Sequence, residues 1–538
     1  MQQTAEKPFP QSLVAAFRSE PGKPAFEYRS RSVSRAEVLD LIARCVGGLR
    51  RSGLEPGAAV ALGTDVTPEG FAVQIAAHLL GLQVVGLRPG LTSGQLADVL
   101  SRGIHAVITD TPTADTPTAD TPGGDTPAGA ALRTAAGPVP VLPLAALLDA
   151  PATPDALQPH GRPDDTAVVY LTSGSTGRPK GCALSYRALT AHWSWQPARW
   201  SEETTRLAAQ YHRFLLFGTL TSAVMFEWLG LCLLGGGTAV IPDPPVDIPA
   251  DFARHRITAC LMTVPRLHRL LDTLRSTPVD LSSLRALLVA GSPLEPHRLT
   301  EAVDRLGPVV LQGYGQTETG LLTLLTPDDL ARRHPRVAGS VGRAHPGVRL
   351  QIRDSAGRPV PAGERGEVWA RTSGAMAGYW HDPDETAEVL RDGWIRTRDL
   401  GRFDEEGFLH LEGRTRDIII VNAVVHYATA IERSLTDHPD IDQAYVVGLP
   451  DEQTGEAAHA FVVPTAGRTP DPAALRRHIG GQLGQAGVPA TITVLDQVPT
   501  TPGGKPDKRA LAALRRPPGP HPGHLPDPPT VRRGSPAP

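Results

Sequence analysis

The chain has 538 residues, of which 41% are hydrophobic and 20% are charged, the composition of an ordinary soluble globular protein. Its length exceeds what one hydrophobic core usually organises, so we expect a large domain with subdomains and a smaller second domain. Lys and Arg total 53 against 56 Asp and Glu, a formal net charge of -3, and the absence of a concentrated basic stripe argues against nucleic acid as a partner.

Nothing in the sequence marks the chain for export or for a membrane. The N-terminus, MQQTAEKPFPQ, lacks the layout of a signal peptide. The longest apolar stretch, 214–240, carries Glu227 at its middle and three glycines near its end, which predicts a buried helix, a turn and a strand. The four cysteines show no CxxC spacing, so we expect neither a zinc site nor a disulfide framework, and a reducing cytoplasm fits.

The predicted elements alternate between strands and helices for most of the chain. Apolar stretches such as AAVALG (58–63) and LQVVGL (82–87) are separated by helix-like segments, and the alternation resumes from 165 to 313. This pattern predicts parallel sheets covered by helices. The Pro/Thr/Asp-rich segment at 110–130 has almost no apolar residues and is expected to be a disordered surface loop.

Near residue 414 the pattern changes to that of a compact mixed unit of about a hundred residues. We therefore predict an N-terminal domain over 1–414 and a C-terminal domain over 415–515. The Pro-rich remainder, 516–538, is expected to be disordered.

The stretch YLTSGSTGRPKGC (170–182) is typical of a loop that holds a polyphosphate. Glycines let backbone amides approach an anion closely, hydroxyls add donors, and a lysine adds positive charge. A P-loop is excluded, because Lys180 follows Pro179 and precedes Gly181. Out of context, a flexible surface turn explains the stretch equally well. The candidate nucleotide-binding residues here are Thr172, Ser173, Gly174, Ser175, Thr176, Gly177, Lys180 and Gly181.

Four further motifs follow in order: GYGQTETG (313–320), GWIRTRDLG (393–401), GRTRD (413–417) and TPGGKPDKRAL (501–511). With the first stretch they resemble the adenylate-forming superfamily, which contains acyl-CoA ligases, peptide-synthetase adenylation domains and luciferases. The resemblance covers about residues 12 to 515. It implies an α/β fold with a large N-terminal domain of parallel-rich sheets and a small β-barrel-like subdomain, plus a smaller, mobile α+β C-terminal domain.

The resemblance also implies roles for individual residues around ATP and Mg2+. Tyr314 would stack on adenine and Thr317 would bind a phosphate, while Glu318 would hold Mg2+, a hard cation that prefers oxygen ligands. One wall of the nucleotide pocket would come from the turn formed by Ala290, Gly291, Ser292 and Pro293, and Gly313 and Gly315 would also bind the nucleotide.

The remaining roles concern the ribose and the reacting phosphate. Asp399 would accept the ribose hydroxyls and Arg414 would support ribose and phosphate. Lys505 would neutralise charge as the acid's oxygen attacks the α-phosphorus. Members of the superfamily rotate the small domain about a hinge, which corresponds here to Arg416 and Asp417. His212, in YHRFLLFG, is either a gate beside the acyl pocket or a packed core histidine.

The chain departs from the superfamily pattern at two places. After GRTRD, relatives that use CoA carry a Gly-Gly pair and then a Pro and a Glu, where this chain has Asn422, Ala423, Ala428 and Ala430. A Cβ at the first two places would narrow the pantetheine tunnel. Arg398 replaces the glycine that normally precedes the ribose-binding Asp399, and its charge either binds a phosphate or acidic co-substrate or points to solvent.

Three functional hypotheses follow from these motifs and departures. The first is a ligase that activates a small aryl or acyl acid as its AMP anhydride and passes it to CoA or a carrier-protein thiol. The second resembles the ATP-dependent diazotases of natural-product pathways, in which nitrite is activated and captured by an aromatic amine. The third is a nucleotide-binding regulator without turnover, which the intact charge set of Lys505, Glu318 and Asp399 argues against.

Overall fold

The structure is a computed structural model that describes residues 6–110, 127–152, 157–173, 179–333, 336–415, 417–421, 424–451, 453–501 and 504–515. Most of the segment predicted to be disordered at 110–130 and all of 516–538 lie outside these residues. The chain divides into two compact units. The larger contains Met1–Asp417 together with Thr500–Lys505, and the smaller contains Ile418–Pro499 and the residues from Pro506 onward.

The larger unit is a mixture of helices and strands. Its helices are α1 Gln11–Ser19, α2 Arg35–Arg51, α3 Pro68–Leu79, α4 Ser93–Leu100, α5 Pro127–Ala136, α6 Leu144–Leu148, α7 Tyr186–Ala191, α8 Glu202–Gln210, α9 Ala223–Leu234, α10 Ala250–Arg254, α11 Val264–Ser276, α12 Pro296–Leu306, α13 Pro327–Arg333 and α14 Pro383–Val389, with short 3-10 turns at Trp193–Trp195 and Pro197–Arg199.

The strands of the larger unit are β1 Pro24–Tyr28, β2 Arg31–Ser34, β3 Ala59–Gly63, β4 Gln83–Gly86, β5 Ile104–Thr109, β6 Val141–Pro143, β7 Thr166–Ser173, β8 Pro179–Ser185, β9 Arg213–Leu215, β10 Thr238–Ile241, β11 Ala259–Thr263, β12 Ala286–Ala290, β13 Val310–Gln316, β14 Gly320–Leu325, β15 Arg343–Ala344, β16 Arg349–Arg353, β17 Gly366–Arg371, β18 Gly378–Tyr379, β19 Leu390–Arg391, β20 Trp394–Phe403 and β21 Leu409–Arg414.

Two large sheets carry the predicted parallel strands. The first has the order β15-β14-β13-β12-β11-β9-β10-β1-β2, and its strands from β13 to β1 run parallel to one another. The second has the order β18-β8-β7-β4-β3-β5-β6, in which β7, β4, β3, β5 and β6 are parallel. Their central strands are buried apolar runs, as expected for sheets that are covered on both faces.

Local sequence explains several helix boundaries. Ser34 and Glu37 form a reciprocal capping box at the start of α2, and Thr92 and Gln95 form another at the start of α4. At α3 the N-cap is Thr67, whose hydroxyl accepts from the backbone N–H of Gly70, and Pro68 follows at the first helical position.

The apolar stretch 214–240 has the predicted organisation of a helix, a turn and a strand. Helix α9 is buried on nearly every side and β10 is fully buried, so the stretch belongs to the core. Within the residues that the structure describes, no helix is long and apolar enough to cross a membrane. All four cysteines are free thiols buried in the protein.

A third sheet of the larger unit, within residues 349–414, corresponds to the small β-barrel-like subdomain that the resemblance implies. It is antiparallel, with the order β16-β17-β20-β19 and with β21 paired to β20.

The smaller unit has an α+β fold. Its elements are β22 Ile418–Val421, β23 Val424–Tyr427, α15 Ala428–Thr436, β24 Ile441–Asp451, β25 Gly455–Pro464, α16 Pro472–Leu483, β26 Thr491–Val494 and α17 Lys508–Ala513, with a 3-10 turn at Gln485–Gly487.

Candidate active site

The predicted phosphate-binding stretch lies at the end of a β-hairpin in the larger unit. Strands β7 and β8 are antiparallel and pair Thr172 with Lys180 and Leu171 with Gly181. The Thr172 hydroxyl donates to the Lys180 carbonyl at 3.3 Å. A Cβ on Gly181 would lie 2.6 Å from Val169 Cγ1, so this position requires glycine for packing. The side chain of Ser173 and all of Gly174, Ser175, Thr176 and Gly177 lie outside the described residues.

Lys180 belongs to a charged network that the sequence did not reveal. Its ammonium lies 2.8 Å from Glu385 on α14, and Arg398 contacts the same carboxylate oxygen at 2.6 Å. Arg398 also pairs with Glu388 at 2.9 Å. Burial acts to raise the pKa of Glu385, but the hydrogen bonds from Lys180 and Arg398 outweigh it and lower that pKa to about 2. The Arg398 guanidinium is therefore neither a free phosphate ligand nor solvent-directed, because two carboxylates hold it.

The GYGQTETG motif forms the end of β13 and the turn into β14. A Cβ on Gly315 would lie 2.2 Å from the Gly320 carbonyl oxygen, so only glycine fits between the two strands. The Glu318 carboxylate follows in the turn and accepts a hydrogen bond from the Tyr379 hydroxyl at 2.9 Å. Thr317 is half-buried beside it. The motif thus presents a hydroxyl and an oriented carboxylate at the end of a buried strand.

Asp399 is the centre of a second polar cluster in the larger unit. It is 3% exposed, its Oδ2 accepts from the Tyr314 hydroxyl at 2.7 Å and from Gln316 Nε2 at 2.7 Å, and its Oδ1 accepts from Arg414 Nε at 2.9 Å. Burial, followed by the negative charge of Asp399, raises the pKa of Tyr314, so its hydroxyl stays a donor. A carboxylate offers about four lone-pair positions, and three donors already occupy positions on Asp399. Two ribose hydroxyls would therefore compete with these three donors.

The loop after β12 brings Gly291 to the carboxyl edge of the first sheet. Gly291 has a φ of +98°, a conformation that favours glycine. A Cβ at this position would lie 3.4 Å from Lys505 Cε, and one on Gly504 would lie 3.1 Å from Thr263 Oγ1 at the end of β11. Ser292 and Pro293 continue the same loop before α12. Gly313, one strand further along, is packed between Leu288 and Leu321.

The Lys505 ammonium lies among charges that the other motifs supply. Lys505 as a whole residue is exposed, but its ammonium group is buried, and this burial lowers the pKa of the side chain. The positive charge of Arg414 lowers the pKa further. Glu318 acts in the opposite direction, and Arg88 adds a further positive charge. Lys505, Glu318 and Arg414 come from distant parts of the sequence and interact electrostatically within one site.

The structure does not bring His212 to this site. His212 is exposed and immediately precedes β9, at the edge of the first sheet where its parallel strands begin. Gly291 and Tyr314 lie at or near the ends of β12 and β13, toward the opposite edge. The position of His212 therefore fits neither a gate beside the acyl pocket nor a packed core histidine. His212 lies at this edge because β9 begins at Arg213, the next residue of the YHRFLLFG segment.

A different histidine, His192, lies beside the GYGQTETG turn. A Cβ on Gly374 would lie 3.1 Å from His192 Cδ2, so this glycine makes room for the ring, and a Cβ on Gly320 would be in ordinary contact with Nε2 at 3.8 Å. His192 lines a cavity whose walls are mostly apolar or aromatic and which extends to Thr317. Other side chains in the walls are Tyr170, Leu184, Leu189, Trp195, Phe226 and Glu227.

Several site residues were not recognised from the sequence. Gln316 lies inside the GYGQTETG motif, but nothing in the sequence indicated that its neutral amide would donate a hydrogen bond to Asp399. Tyr379, Glu385 and His192 lie outside the five motifs, and only the folded chain brings them close to Glu318, Lys180 and Gly320. Of the replaced positions after GRTRD, Asn422 and Ala423 lie outside the described residues, whereas Ala428 and Ala430 fall in the first turn of α15.

The chain resembles known proteins in both sequence and structure. Residues 13–380 match the model of the AMP-binding enzyme family, and residues 430–505 match that of the AMP-binding enzyme C-terminal domain. An indoleacetate–CoA ligase from Aromatoleum aromaticum is 32% identical over 508 residues, which cover 92% of this chain and 96% of the relative. A feruloyl-CoA synthase from an Amycolatopsis species is 32% identical, covering 91% and 96%.

A solved structure, the amide bond synthetase McbA from Marinactinospora thermotolerans, is similar in fold and sequence. It has a TM-score of 0.78 and 32% identity, and the match covers 94% of this chain and all of that one. The family models, the relatives and the ordered motifs around Glu318, Asp399 and Lys505 agree. The chain is a member of the adenylate-forming ligase family of AMP-binding enzymes.

Proposed function

We propose that the chain activates a small aromatic carboxylic acid with ATP, forming the acyl-AMP anhydride and releasing pyrophosphate. The observation that carries this proposal is the convergence of Lys505, Glu318 and Asp399 on one site at the end of the parallel strands of the larger unit. Ligands of open α/β sheets bind at that edge. The aromatic walls of the cavity beside His192 support an aryl acid.

In the reaction, a carboxylate oxygen of the acid attacks the α-phosphorus of ATP, and the bond between the α-phosphorus and the oxygen leading to the β-phosphate breaks. Negative charge accumulates around the α-phosphate as the anhydride forms. The Lys505 ammonium would neutralise it, and the close approach of its segment to the ends of β11 and β12 at Gly291 and Gly504 supports this role. Lys180, on the β7–β8 hairpin, would bind the departing pyrophosphate by exchanging its ion pair with Glu385 for one with a phosphate.

Glu318 is the candidate ligand for Mg2+. Within the described part of the chain, no three His, Cys, Asp or Glu side chains cluster as a metal site, so the ion would depend on Glu318 and on phosphate oxygens. The Tyr379 hydroxyl holds the carboxylate in one orientation. When bound, Mg2+ supplies charge neutralisation of the polyphosphate. The fit rests on the donor type, a half-buried carboxylate, which suits a hard cation.

For the second half-reaction we propose transfer to a thiol, of CoA or of a carrier protein. The two CoA-linked relatives, 32% identical over more than nine-tenths of the chain, support this acceptor. A second candidate is an amine acceptor, which would give an amide. It is favoured by the similarity to McbA and by the replacement of the Gly-Gly pair by Asn422 and Ala423.

One assay distinguishes these acceptors. Pyrophosphate release is measured with a panel of aryl acids and ATP alone, with CoA, with a primary amine, and separately with nitrite plus an aminoarene. We expect release with aryl acids, and a thioester as the product when CoA is present. An amide product without a thioester would assign the amine acceptor, and a diazo product would assign the nitrite reaction. A complete lack of pyrophosphate under every condition would contradict the proposal.

A further inference from the structure

The cavity beside His192 holds a carboxyl group in walls that are otherwise mostly apolar or aromatic. Glu227 lies at the middle of α9, a helix that is buried on nearly every side, and is only 4% exposed. The cavity reaches from Glu227 to Thr317 and Gly320 of the GYGQTETG turn. The cavity has a volume of about 20 Å³, so it must widen on binding for an acid whose carboxylate faces Lys505 and the α-phosphate to extend its ring toward Glu227. The inference that follows rests on the proposed function.

The Glu227 carboxyl group is only partly satisfied by the protein. Its Oε1 accepts a hydrogen bond from Trp193 Nε1–H. In the part of the chain that the structure describes, Oε2 makes no hydrogen bond, although the side chain lines the cavity. Oε2 is not among the fully buried atoms that lack a partner, so it is accessible from the cavity, and a ligand group that enters there can pair with it.

The neighbouring ionisable groups do not neutralise Glu227. His192 Nε2 is 3.9 Å from its carboxylate, while His192 Nδ1 is 3.0 Å from the Ser194 hydroxyl. Burial raises the pKa of Glu227 to about 8, and burial, with a smaller contribution from His345, lowers that of His192 to about 4. The contact therefore joins two neutral groups at pH 7 and is not an ion pair. The charge of Glu227 also acts on Tyr170 and Tyr211, whose raised pKa values keep both hydroxyls neutral, so neither supplies a positive charge.

We propose that Glu227 is a specificity-determining residue that selects aromatic acids carrying a basic nitrogen at the end of the ring remote from the carboxylate. A packing role alone would be served by an apolar side chain of similar volume, which needs no partner for Oε2. A ligand amine reaches Oε2 as a cation and pairs with the ionised carboxylate, so that neither charge is left alone in the apolar wall.

The selectivity expected from this pairing is large. A site built around a polar group rejects an analogue that lacks the matching group, because the buried group is then left unpaired. An acid with a methyl group in place of the nitrogen would fill the same space and leave the Glu227 oxygen without a partner. His192 and Trp193 hold the carboxyl group in place and are positioning residues in this account.

The test compares 4-(aminomethyl)benzoate with 4-ethylbenzoate, two acids of nearly equal shape. kcat/KM for pyrophosphate release is measured for both acids in the wild-type protein, in Glu227→Gln and in Glu203→Gln, a matched change at an exposed glutamate of α8. We expect the wild type and Glu203→Gln to prefer the amine by roughly tenfold or more, the range of one hydrogen bond to a charged group. In Glu227→Gln the ratio should fall close to one, mainly through KM for the amine.

The outcomes separate the inference from the proposed function. Equal turnover of both acids by the wild type overturns the inference and leaves adenylation standing, and this result does not depend on whether a variant folds. A preference that survives Glu227→Gln also overturns it, provided that the melting temperature and ATP binding of the variant match the wild type. Absence of pyrophosphate with any acid, including unsubstituted benzoate, overturns the proposed function and the inference together.

Discussion

Arg398 occupies a backbone conformation that L-amino acids rarely adopt. Its φ is +61°, and the superfamily pattern has glycine at this position, directly before Asp399. The guanidinium reaches Glu385 and Glu388, and Glu385 in turn contacts Lys180 of the phosphate hairpin. The substitution therefore places backbone strain next to the nucleotide site and joins the 393–401 motif to the hairpin through a carboxylate. We infer that the ion pairs hold the strained residue in place.

Replacing Arg398 by Gly and by Ala separates the strain from the ion pairs. Both variants lose the guanidinium, but only Ala retains a Cβ at positive φ. We expect Arg398→Ala to be less stable than Arg398→Gly by about 1 kcal/mol, because glycine adopts this conformation without a steric penalty. Melting temperatures of the two variants measure the difference. Equal melting temperatures would show that the backbone at this position is not strained.

Glu227 makes the stability of the protein depend on pH in a direction opposite to that of most carboxylates. Burial raises its pKa from 4.5 to about 8, so the folded state binds the proton more tightly than the unfolded state. The resulting contribution to stability is present below pH 4.5 and is lost as the pH rises through 8. In the folded state, neighbouring His192, with a pKa of about 4, and the buried Tyr170 and Tyr211, whose pKa values are raised, do not change charge between pH 5 and 8. Unfolded His192 titrates near its ordinary pKa of 6.5, but this contribution is the same in the wild type and in a Glu227 variant.

Glu227→Gln removes this titration while keeping an acceptor for Trp193. We expect the melting temperature of the variant, relative to wild type, to rise steadily between pH 5 and pH 8. Thermal melts at several pH values in that window measure the trend. A constant difference between variant and wild type would show that Glu227 is already ionised at pH 5.

At the scale of elements, the structure separates features that local sequence predicts from features that depend on tertiary contacts. Apolar runs predicted the strands, the helix within 214–240 and the alternation of the large sheets, since these signals are local. The sequence could not show at which edge of the first sheet His212 lies, because that depends on the residue at which β9 begins. It also did not predict the contacts of Tyr379 with Glu318 or Glu385 with Lys180, which are tertiary.

Gly315 tests the role of the hairpin geometry. A Cβ there would lie 2.2 Å from a backbone oxygen, so Gly315→Ala must displace one of the two strands and the Glu318 turn with them. We expect a loss of stability of about 1–3 kcal/mol and a marked fall in pyrophosphate release. Gly94→Ala is the matched control, because its Cβ would meet no atom within 4 Å and it lies within α4. Similar behaviour of the two variants would contradict the assigned geometry.

At the scale of the whole molecule, the predicted boundary after residue 414 can be compared with the two compact units. The larger unit extends to Asp417 and also includes Thr500–Lys505, although the residues on both sides of that segment belong to the smaller unit. Sequence order alone assigned Lys505 to the C-terminal domain, because a boundary read along the chain cannot show that a short segment packs with another unit. The motif TPGGKPDKRAL nevertheless identified the lysine itself. Rotation of the smaller unit about a hinge near Asp417 stays a proposal.

Lys505→Ala tests the central claim that this lysine acts on the α-phosphate within the larger unit's site. Pyrophosphate release with an aryl acid and the dissociation constant of ATP are measured in the same preparations, with Lys23→Ala as a control at an exposed ion pair. We predict a fall in turnover of roughly 10²–10³-fold in Lys505→Ala. The affinity for ATP should change by less than about tenfold, and Lys23→Ala should behave like the wild type. Turnover by Lys505→Ala at the wild-type rate would contradict the account.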